Sequence, residues 1–475
     1  MSRIWSMMDV GKRSMMNSQT ALQTVSHNVS NKNTEGYSRQ RVEMQTTEPT
    51  GLGKLRIGNG ARATAVTRVN NSFLEKQVER EGNILGNKTT KADMLMRVEQ
   101  VYNEQMNKGL NKFMGEFFNA YREMSNSPES LALRNLVKES ADFLTKDFKR
   151  INTQLTKIQG EADFQIATEV AEINSTTKEI AQLNDKIKSV ELLGNPANDE
   201  RDRRDLLVKK LSEKVNIRYG ESDEGVMTIT AGNTAVLVSG SQQRELFVAP
   251  SAARPGKRDG SVDIFYKPSD TGTPVSVSKQ FTGGRLGGLL EVRDQFINKN
   301  LDQMDEMAYT LAREVNEAHM SGYDRYNSRG RPLFLLEKGP VEASAHIKVN
   351  EEIMENAGLV VAAADPNSPA DNRIANIISS LQYGKVLAGD ESTFDDFYNN
   401  IVGSVGIAAN RSNSELEAQT GIVDQLKNIR ESISGVSLDE ETAKMIEYQK
   451  SFDASARLIR TADEMMDTVL NLKRL

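Results

Sequence analysis

The chain has 475 residues, enough for two to four domains, because a single hydrophobic core rarely extends beyond about 250–300 residues. Its 60 basic and 66 acidic residues give a net charge of −6, which argues against a nucleic-acid-binding protein, since such proteins concentrate basic residues on one face. There is no cysteine, so disulfides, thiolate metal sites and thiol catalysis are excluded.

Proline is absent from residues 1–48 and 370–475, and both ends are therefore candidates for long helices. A proline inside a helix costs about 3 kcal/mol, so its absence over such lengths is informative. Near the N-terminus, apolar and small residues recur at alternating spacings of four and three, the pattern of a coiled-coil seam. The residues of this predicted seam are Ile4, Met8, Gly11, Met15, Ser18, Leu22, Val25 and Val29.

The first helix is expected to end at about Val29, because a polar, turn-forming segment follows it. Residues 26–44 are SHNVSNKNTEGYSRQRVEM, with three asparagines close together and Gly36 shortly after them. Asparagine and glycine both tolerate the left-handed backbone conformation that ends helices. From the residues alone, the segment could be a binding site, a linker or simply a helix end.

The interior is predicted to be helical on both sides of a β-rich insert. Residues 70–214 are mostly helical, residues 215–282 form short strands divided by glycine and proline, and helix returns at residues 285–320. A loop-rich stretch at residues 322–372 precedes another helix at residues 394–433. One helix face in the first part is formed by Ile166, Val170, Ile173, Thr177, Ile180, Asn184 and Ile187. The predicted fold class is therefore mainly α, with paired ends and the β insert at the tip.

The last predicted helix begins at a capping box, Ser437–Glu440, and continues towards the C-terminus. Its apolar residues recur every seven positions. This second predicted seam consists of Leu438, Met445, Phe452, Ile459 and Met466, with Tyr448 and Val469 on the neighbouring row. Each terminal helix could pack on its own domain, or the two helices could pair and present their remaining apolar surface to other subunits. The strict seven-residue period favours pairing.

No catalytic, metal or cofactor site is predicted. His27, His319 and His346 lie far apart, outside any metal-binding motif, so surface or capping roles are expected. The glycine-rich residues 283–288 lack the spacing of a phosphate-binding loop, and a flexible strand-to-helix junction is expected there. The mixed charges of residues 199–205 indicate a solvated, salt-bridged helix.

Neither membrane insertion nor a cleaved secretory signal is predicted. The longest apolar run, near residues 357–364, is far too short to span a bilayer. The N-terminus has Arg3 but no uninterrupted apolar core and no convincing cleavage site. If the protein leaves the cell, its export route must recognise an uncleaved terminus.

Several stretches together resemble the hook-associated protein 1 family of bacterial flagellar axial proteins. Residues 26–41 resemble the N-terminal signature of axial proteins, and their YSRQ continuation narrows the likeness to this family. Residues 434–441 (SGVSLDEE) resemble its C-terminal motif. GGRLGGLLEVR at residues 283–293 and HMSGYD at residues 319–324 agree with it. The resemblance covers essentially the whole chain, although the family often has proline where Glu35 stands.

The resemblance implies a structural protein without enzymatic activity or cofactors, located at the junction between the flagellar hook and filament. It implies export through the flagellar type III apparatus to an extracellular position, followed by polymerisation through the terminal helices. The expected partners are further copies of the chain, the hook protein, the next hook-associated protein and an export chaperone at the C-terminal region. Nucleic acid is not expected as a partner. Another axial protein, of the hook, rod or filament type, is the alternative.

The resemblance also divides the chain into three expected domains. Residues 1–45 and 437–475 would form a terminal coiled coil at the inner tube. Residues 46–214 and 283–436 would form the helical middle domain, and residues 215–282 the outer β domain. The chain would leave the inner tube at an inter-domain joint, with candidate contacts across subunits at Arg39, Gln40 and Arg41. The predicted joint residues are Asn31, Asn33, Gly36, Tyr37 and Arg39.

Overall fold

A computed structural model describes residues 2–52, 55–103, 109–192, 194–250, 261–269 and 272–472 of the chain. Long helices dominate these residues, and a π-helical segment, Val292–Ile297, joins two of them. The α-helices are α1 (Ser2–Ser30), α2 (Ser72–Val101), α3 (Leu110–Asn126), α4 (Leu131–Glu191), α5 (Asn198–Lys214), α6 (Gly284–Glu291), α7 (Asn298–Ser321), α8 (Ala343–His346), α9 (Glu351–Glu355), α10 (Arg373–Ser380), α11 (Phe394–Ser434) and α12 (Leu438–Leu472). The strands are β1 (Gln40–Thr46), β2 (Thr50–Leu52), β3 (Leu55–Ile57), β4 (Ala61–Arg68), β5 (Ile217–Glu221), β6 (Met227–Ala231), β7 (Ala235–Ser239), β8 (Gln242–Gln243), β9 (Leu246–Pro250), β10 (Val262–Tyr266), β11 (Val275–Ser276), β12 (Phe334–Leu335) and β13 (Lys348–Val349).

The first and last helices pack against each other, and so do the helices next to them in the chain order. Helix α1 runs antiparallel to α12, with Ser18 Oγ donating to Ser451 Oγ at 3.2 Å. Helix α2 runs antiparallel to α11, where Lys88 Nζ lies 2.5 Å from Glu415 Oε2. The predicted fold class, mainly α with a β-rich insert between helical segments, is confirmed.

The hydrophobic core extends along α4, which is the longest helix of the described residues. All members of the stripe predicted between Ile166 and Ile187 are buried in this helix, so that prediction is confirmed. At the other end of α4, aromatic rings from several elements pack together, and ring pairs of this kind add about 0.5–1.5 kcal/mol to simple burial. These rings belong to Phe117, Phe118, Tyr121, Phe334 and Phe394.

The β-rich insert consists of two small antiparallel sheets that pack on α4. Strands β5 to β8 form one sheet in sequence order, and β9, β10 and β11 form the other with β10 in the centre. Asn184 of α4 fastens the first sheet, since its Nδ2 donates to Met227 O at 2.8 Å and its Oδ1 accepts from Met227 N at 3.2 Å. The side chain of this buried asparagine therefore makes the two hydrogen bonds to Met227 that a neighbouring strand would otherwise make.

An antiparallel hairpin that the sequence analysis did not anticipate follows the joint. Strands β1 and β4 pair from Gln40 and Arg68 to Thr46 and Ala61, with a bulge after Glu43. The hairpin lies on α1, where Asn17 Nδ2 donates to Ala61 O at 2.8 Å. It extends across the boundary predicted between residues 45 and 46. The predicted division into three domains stays a prediction.

Glycine allows α2, α5 and α6 to approach one another closely. A Cβ atom at Gly288 would lie 2.7 Å from Asn87 O, and one at Gly86 would lie 2.2 Å from Glu213 O. Such distances are too short for any side chain. The expectation of a flexible junction at residues 283–288 is therefore wrong, because Gly284, Gly287 and Gly288 are buried where this helix packs tightly.

Candidate assembly interface at the terminal helices

Small side chains line the contact between α1 and α12. Ser455 Oγ donates a hydrogen bond to Ser14 Oγ at 2.7 Å, one helical turn away from the pair formed by Ser18 and Ser451. A Cβ atom at Gly11 would lie only 2.8 Å from Ile459 Cγ1. Because these side chains are short, the two helix axes lie closer together than bulky apolar residues would permit.

The residues predicted for the seam lie at this contact or next to it, with different degrees of burial. Val25 is buried, whereas Leu438 and Val469 keep 39% and 37% of their surface exposed. The remaining large side chains of the predicted seam are half-buried: Ile4, Met8, Met15, Leu22, Val29, Met445, Tyr448, Phe452, Ile459 and Met466. The buried rows also include Gly11, Ser18, Ala21, Asn28, Glu441, Ser455 and Ala462. The role of the predicted residues in assembly stays a prediction.

Asn28 connects the end of α1 to the start of α12 and to the joint. Only 1% of its surface is exposed. Its Oδ1 accepts from the Tyr37 hydroxyl at 2.7 Å and from Gln40 N at 2.9 Å. Its Nδ2 donates to Gln40 O and to Glu441 Oε2, each at 2.9 Å. Burial, together with nearby carboxylates, raises the pKa of Tyr37, so its hydroxyl stays protonated and donates to Asn28.

The segment after α1 forms a tight joint that is attached to both C-terminal helices. Gly36 has a φ of +82°, and a Cβ atom there would lie 3.0 Å from Leu206 Cβ, so glycine is required on both counts. Arg39 N donates to Ser434 O at 2.9 Å, and Arg39 Nη1 pairs with Glu440 Oε2 at 2.8 Å. The joint therefore contacts the end of α11 and the start of α12.

The asparagines of the joint act through their side chains. None of the asparagines of the joint, all of which the structure describes, has a positive φ. Asn31 Nδ2 donates to His27 O at 3.0 Å, and Asn31 Oδ1 accepts from Thr34 Oγ1 at 3.1 Å, while Asn33 is exposed. The expectation that a left-handed asparagine ends the helix is therefore wrong here. Helix α1 extends to Ser30, one residue beyond the expected end.

The capping box predicted for α12 is only partly formed. The Ser437 hydroxyl accepts a hydrogen bond from Glu440 N at 3.5 Å, as an N-cap serine should. The Glu440 carboxylate, however, pairs with Arg39 of the joint. The residue that would complete the cap thus connects α12 to the segment that follows α1.

Helix α5 anchors the joint and the hairpin with buried charges. Asp202 Oδ2 accepts from Ser38 N at 2.9 Å, and Arg68 Nη1 of β4 lies 2.8 Å from both Asp202 Oδ1 and Asp205 Oδ2. Arg204 is completely buried, donates to Gly225 O at 2.6 Å and pairs with a carboxylate of β5. The expectation of a solvated charged helix is wrong for Asp202 and Arg204, because their partners lie on neighbouring elements.

Large apolar side chains remain exposed along the paired terminal helices. In α1, Trp5 and Met16 keep 58% and 55% of their surface exposed. In α12, Ile446, Met465 and Leu470 keep 54%, 42% and 47% exposed. These side chains are therefore available for contacts with another molecule.

No metal-binding or membrane-spanning feature is found in the part of the chain that the structure describes. No group of histidine, aspartate and glutamate there is arranged to hold a metal ion. None of its helices is long and apolar enough to cross a membrane.

His319 is completely buried, which contradicts its expected surface or capping role. Its Nδ1 lies 2.5 Å from Arg331 O, and its Nε2 accepts from Val361 N at 3.0 Å.

Sequence reasoning placed Ser18 in the seam but did not identify Asn28 or Ser14 as contact residues. A signal was present, since Ser14, Ala21 and Asn28 recur at seven-residue spacing on α1. This row was not followed because large apolar residues were given more weight than small and polar ones. Small and polar side chains occupy that position here.

Two family models match the chain. The model described as "Flagellar hook-associated protein FlgK helical domain" matches residues 95–334, which is half of the chain. The model described as "Flagellar basal body rod FlgEFG protein C-terminal" matches residues 431–472, which contain α12. The resemblance inferred from the sequence motifs is confirmed.

Similar proteins match over nearly their whole length. Flagellar hook-associated protein 1 of Bacillus subtilis is 29% identical, over 98% of this chain and 97% of the relative. The protein of the same name from Salmonella typhimurium is 25% identical, over 96% and 97%. The solved flagellar hook junction protein FlgK from Burkholderia pseudomallei superposes with a TM-score of 0.68 at 15% identity. That superposition covers 75% of this chain and all of that one, which supports the same fold.

Proposed function

The chain belongs to the FlgK family of flagellar hook-associated proteins, and we propose that it forms the junction between the hook and the filament. Like its relatives, it is a structural component of the flagellum and not an enzyme. In this proposal, subunits polymerise through the paired helices α1 and α12. The observation that carries the proposal is the set of exposed apolar side chains on these helices, since assembly would remove them from water.

The proposed domains follow this role. Residues 1–45 and 437–475 would line the inner tube, residues 46–214 and 283–436 would surround it, and residues 215–282 would face outward. The seam and joint residues would hold the terminal helices in the geometry that neighbouring copies recognise. The antiparallel packing of α1 on α12 and the attachment of the joint to α5 support this division.

The proposed partners are other copies of the chain, the hook protein, the next hook-associated protein and an export chaperone. The chaperone would cover the C-terminal region before export through the type III apparatus, and the assembled protein would be extracellular. Arg41 is exposed and Arg39 is half-buried beside Glu440, and both would contact neighbouring subunits. The exposed apolar residues of α12 support a need for a cover before assembly.

Replacement of Ile446 by aspartate tests the assembly surface directly. Because Ile446 is 54% exposed, the charge should leave the isolated subunit folded, but it should abolish polymerisation by placing a charge in a dry interface. Sedimentation of mixtures with purified hook protein, together with circular dichroism of the monomer, measures both effects. Ile446→Val is the matched control and should assemble normally. Normal assembly of Ile446→Asp would rule out this face.

A hook-type or rod-type axial protein is the second candidate. The match of residues 431–472 to the model described for the C-terminal part of basal body rod proteins is the observation in its favour. Complementation separates the two candidates. A junction protein should restore filament attachment in a strain lacking hook-associated protein 1, whereas a hook or rod protein should not.

A further inference from the structure

Arg134, in the first turn of α4, carries a buried positive charge without an ion-pair partner among the described residues. Only 3% of its surface is exposed. Its Nε donates to Pro128 O at 3.0 Å and its Nη1 donates to Val360 O, so both bonds are to neutral carbonyl groups. Its Nη2 has no acceptor in the described structure. A buried charge normally requires a counter-charge, because removal from water is costly.

Arg134 lines a cleft with a volume of about 440 Å³. The start of α4 forms one wall, and residues 323–327 and 363–369 form the others. Arg325, which also lines the cleft, is exposed and adds a second positive charge. Burial and the charge of Arg325 lower the pKa of Arg134, since both disfavour the cation. A negatively charged ligand would relieve both effects.

The acidic groups of the cleft form no ion pair with Arg134 among the described residues, and the charge of Asp324 offsets only part of the effect of burial and of Arg325 on its pKa. Asp324 Oδ1 accepts from Tyr326 N at 2.8 Å and from Ser328 N at 2.9 Å, which directs this carboxylate to its own loop. Asp365 pairs with Arg373 outside the cleft. Glu129 is exposed at the rim, where it would compete with an incoming anion.

The walls of the cleft are held in place by a reciprocal pair of asparagines. Asn327 Nδ2 donates to Asn367 Oδ1 at 2.9 Å, and Asn367 N donates to Asn327 Oδ1 at 2.6 Å. Both residues have left-handed backbone conformations, with φ values of 66° and 58°. Because the two loops are fixed to each other, the cleft is formed before any ligand arrives, which lowers the entropic cost of binding.

We propose that this cleft binds a carboxylate group, with Arg134 at its floor and Arg325 at its mouth. The volume suits a small dicarboxylate or the side chain of an aspartate or glutamate. The carboxylate could thus come from a free metabolite-sized acid or from an acidic side chain on a second copy of the chain. The second source rests on the proposed polymerisation, whereas the binding chemistry itself does not.

Titration of the full-length monomer with succinate tests the site, with succinamide as the uncharged control at matched ionic strength. Calorimetry should show saturable binding of succinate and none of succinamide. Arg325→Gln should weaken binding by roughly fivefold, and Glu129→Gln should tighten it severalfold, because each removes one exposed charge at the mouth. Arg329→Gln removes an exposed arginine from the same loop outside the cleft and should change nothing. Absence of saturable binding, or equal binding by all variants, would overturn the proposal.

The source of the carboxylate is identified by repeating assembly in the presence of succinate. If a neighbouring copy supplies the group, succinate should slow assembly of the wild-type chain but not of Arg325→Gln. If a free acid is the ligand, succinate should bind without any effect on assembly. Either result supports the site, and failure of assembly altogether would affect only the proposed function, since binding is measured on the monomer.

Discussion

Asn28 holds three separate segments together, so its replacement should affect all of them. In Asn28→Asp, an oxygen would replace the amide that donates to Gln40 O and to Glu441 Oε2. Two carboxylates would then face each other in a buried position. We expect a loss of about 2–4 kcal/mol in the free energy of unfolding, measured by urea denaturation at neutral pH. Asn33→Asp, at an exposed position of the same segment, should change stability by less than about 0.5 kcal/mol.

The burial of His319 predicts a specific dependence of stability on pH. Burial lowers the pKa of His319 to about 4, from 6.5 in the unfolded chain. Between these values the unfolded state binds more protons than the native state, so stability decreases as the pH falls from about 6.5 to 4. The full effect is about 3 kcal/mol.

Denaturation of wild type and His319→Gln across this pH range measures the effect. The variant should be less stable at pH 7 but should show a weaker decrease towards pH 4. His346→Gln, at a partly exposed histidine, is the control and should retain the wild-type dependence. A parallel pH profile in His319→Gln would contradict the assignment.

The contact between α1 and α12 depends on short side chains along its whole length. Ser455→Leu would insert a bulky group opposite Ser14, where the oxygens are only 2.7 Å apart. We expect the helices to separate locally, at a cost of about 1–3 kcal/mol. Hydrogen exchange should then increase in α1 and α12 while α4 stays protected. Ser455→Ala removes one hydrogen bond without adding bulk and should cost about 1 kcal/mol. Equal exchange in both variants would show that side-chain volume does not control this contact.

At the scale of elements, the sequence was sufficient for the long helices and for the β insert. The stripe of α4 was predictable because its apolar residues follow a helical period without interruption. The β1–β4 hairpin was not anticipated, because the apolar positions of Ala61–Arg68 are mostly alanines, which give a weak signal, and because the hairpin is stabilised by its contact with α1. The partners of Asp202 and Arg204 were also unpredictable, because they lie in segments remote in sequence and only the fold brings them together.

At the scale of the whole molecule, the β insert and the helices share buried charges. Arg204 pairs with Glu221 of β5, and Arg293 Nη1 donates to Val262 O of β10 at 2.8 Å. Neither arginine has any exposed surface. The insert is thus not an independent attachment, because its removal would take away the carboxylate partner of Arg204, whereas Arg293 would keep Asp163 and Asp294.

Replacement of residues 217–279 by a short glycine–serine linker should leave the helices folded but less stable. The ends to be joined are adjacent, since Asn216 Nδ2 donates to Gln280 O at 3.1 Å. Loss of partners for Arg204 should cost about 3–5 kcal/mol. Adding Arg204→Met to the shortened chain should restore stability, whereas the same substitution in the intact chain should reduce it. Chemical denaturation measures the effect of Arg204→Met on the free energy of unfolding in each chain. If the substitution stabilises both chains or destabilises both, the interpretation that the insert and the helices share buried charges is contradicted.

The pairing of α1 with α12 also constrains the order of folding. Ser18 and Ser451 are 433 positions apart, so closing this loop in an unstructured chain would cost on the order of 5 kcal/mol in entropy. The helices between them must therefore fold first and bring the ends together. A chain that emerges N-terminus first keeps α1 without its partner until its last residues appear. The surface formed by the paired helices α1 and α12 therefore appears only when the chain is complete, and not when any one segment folds.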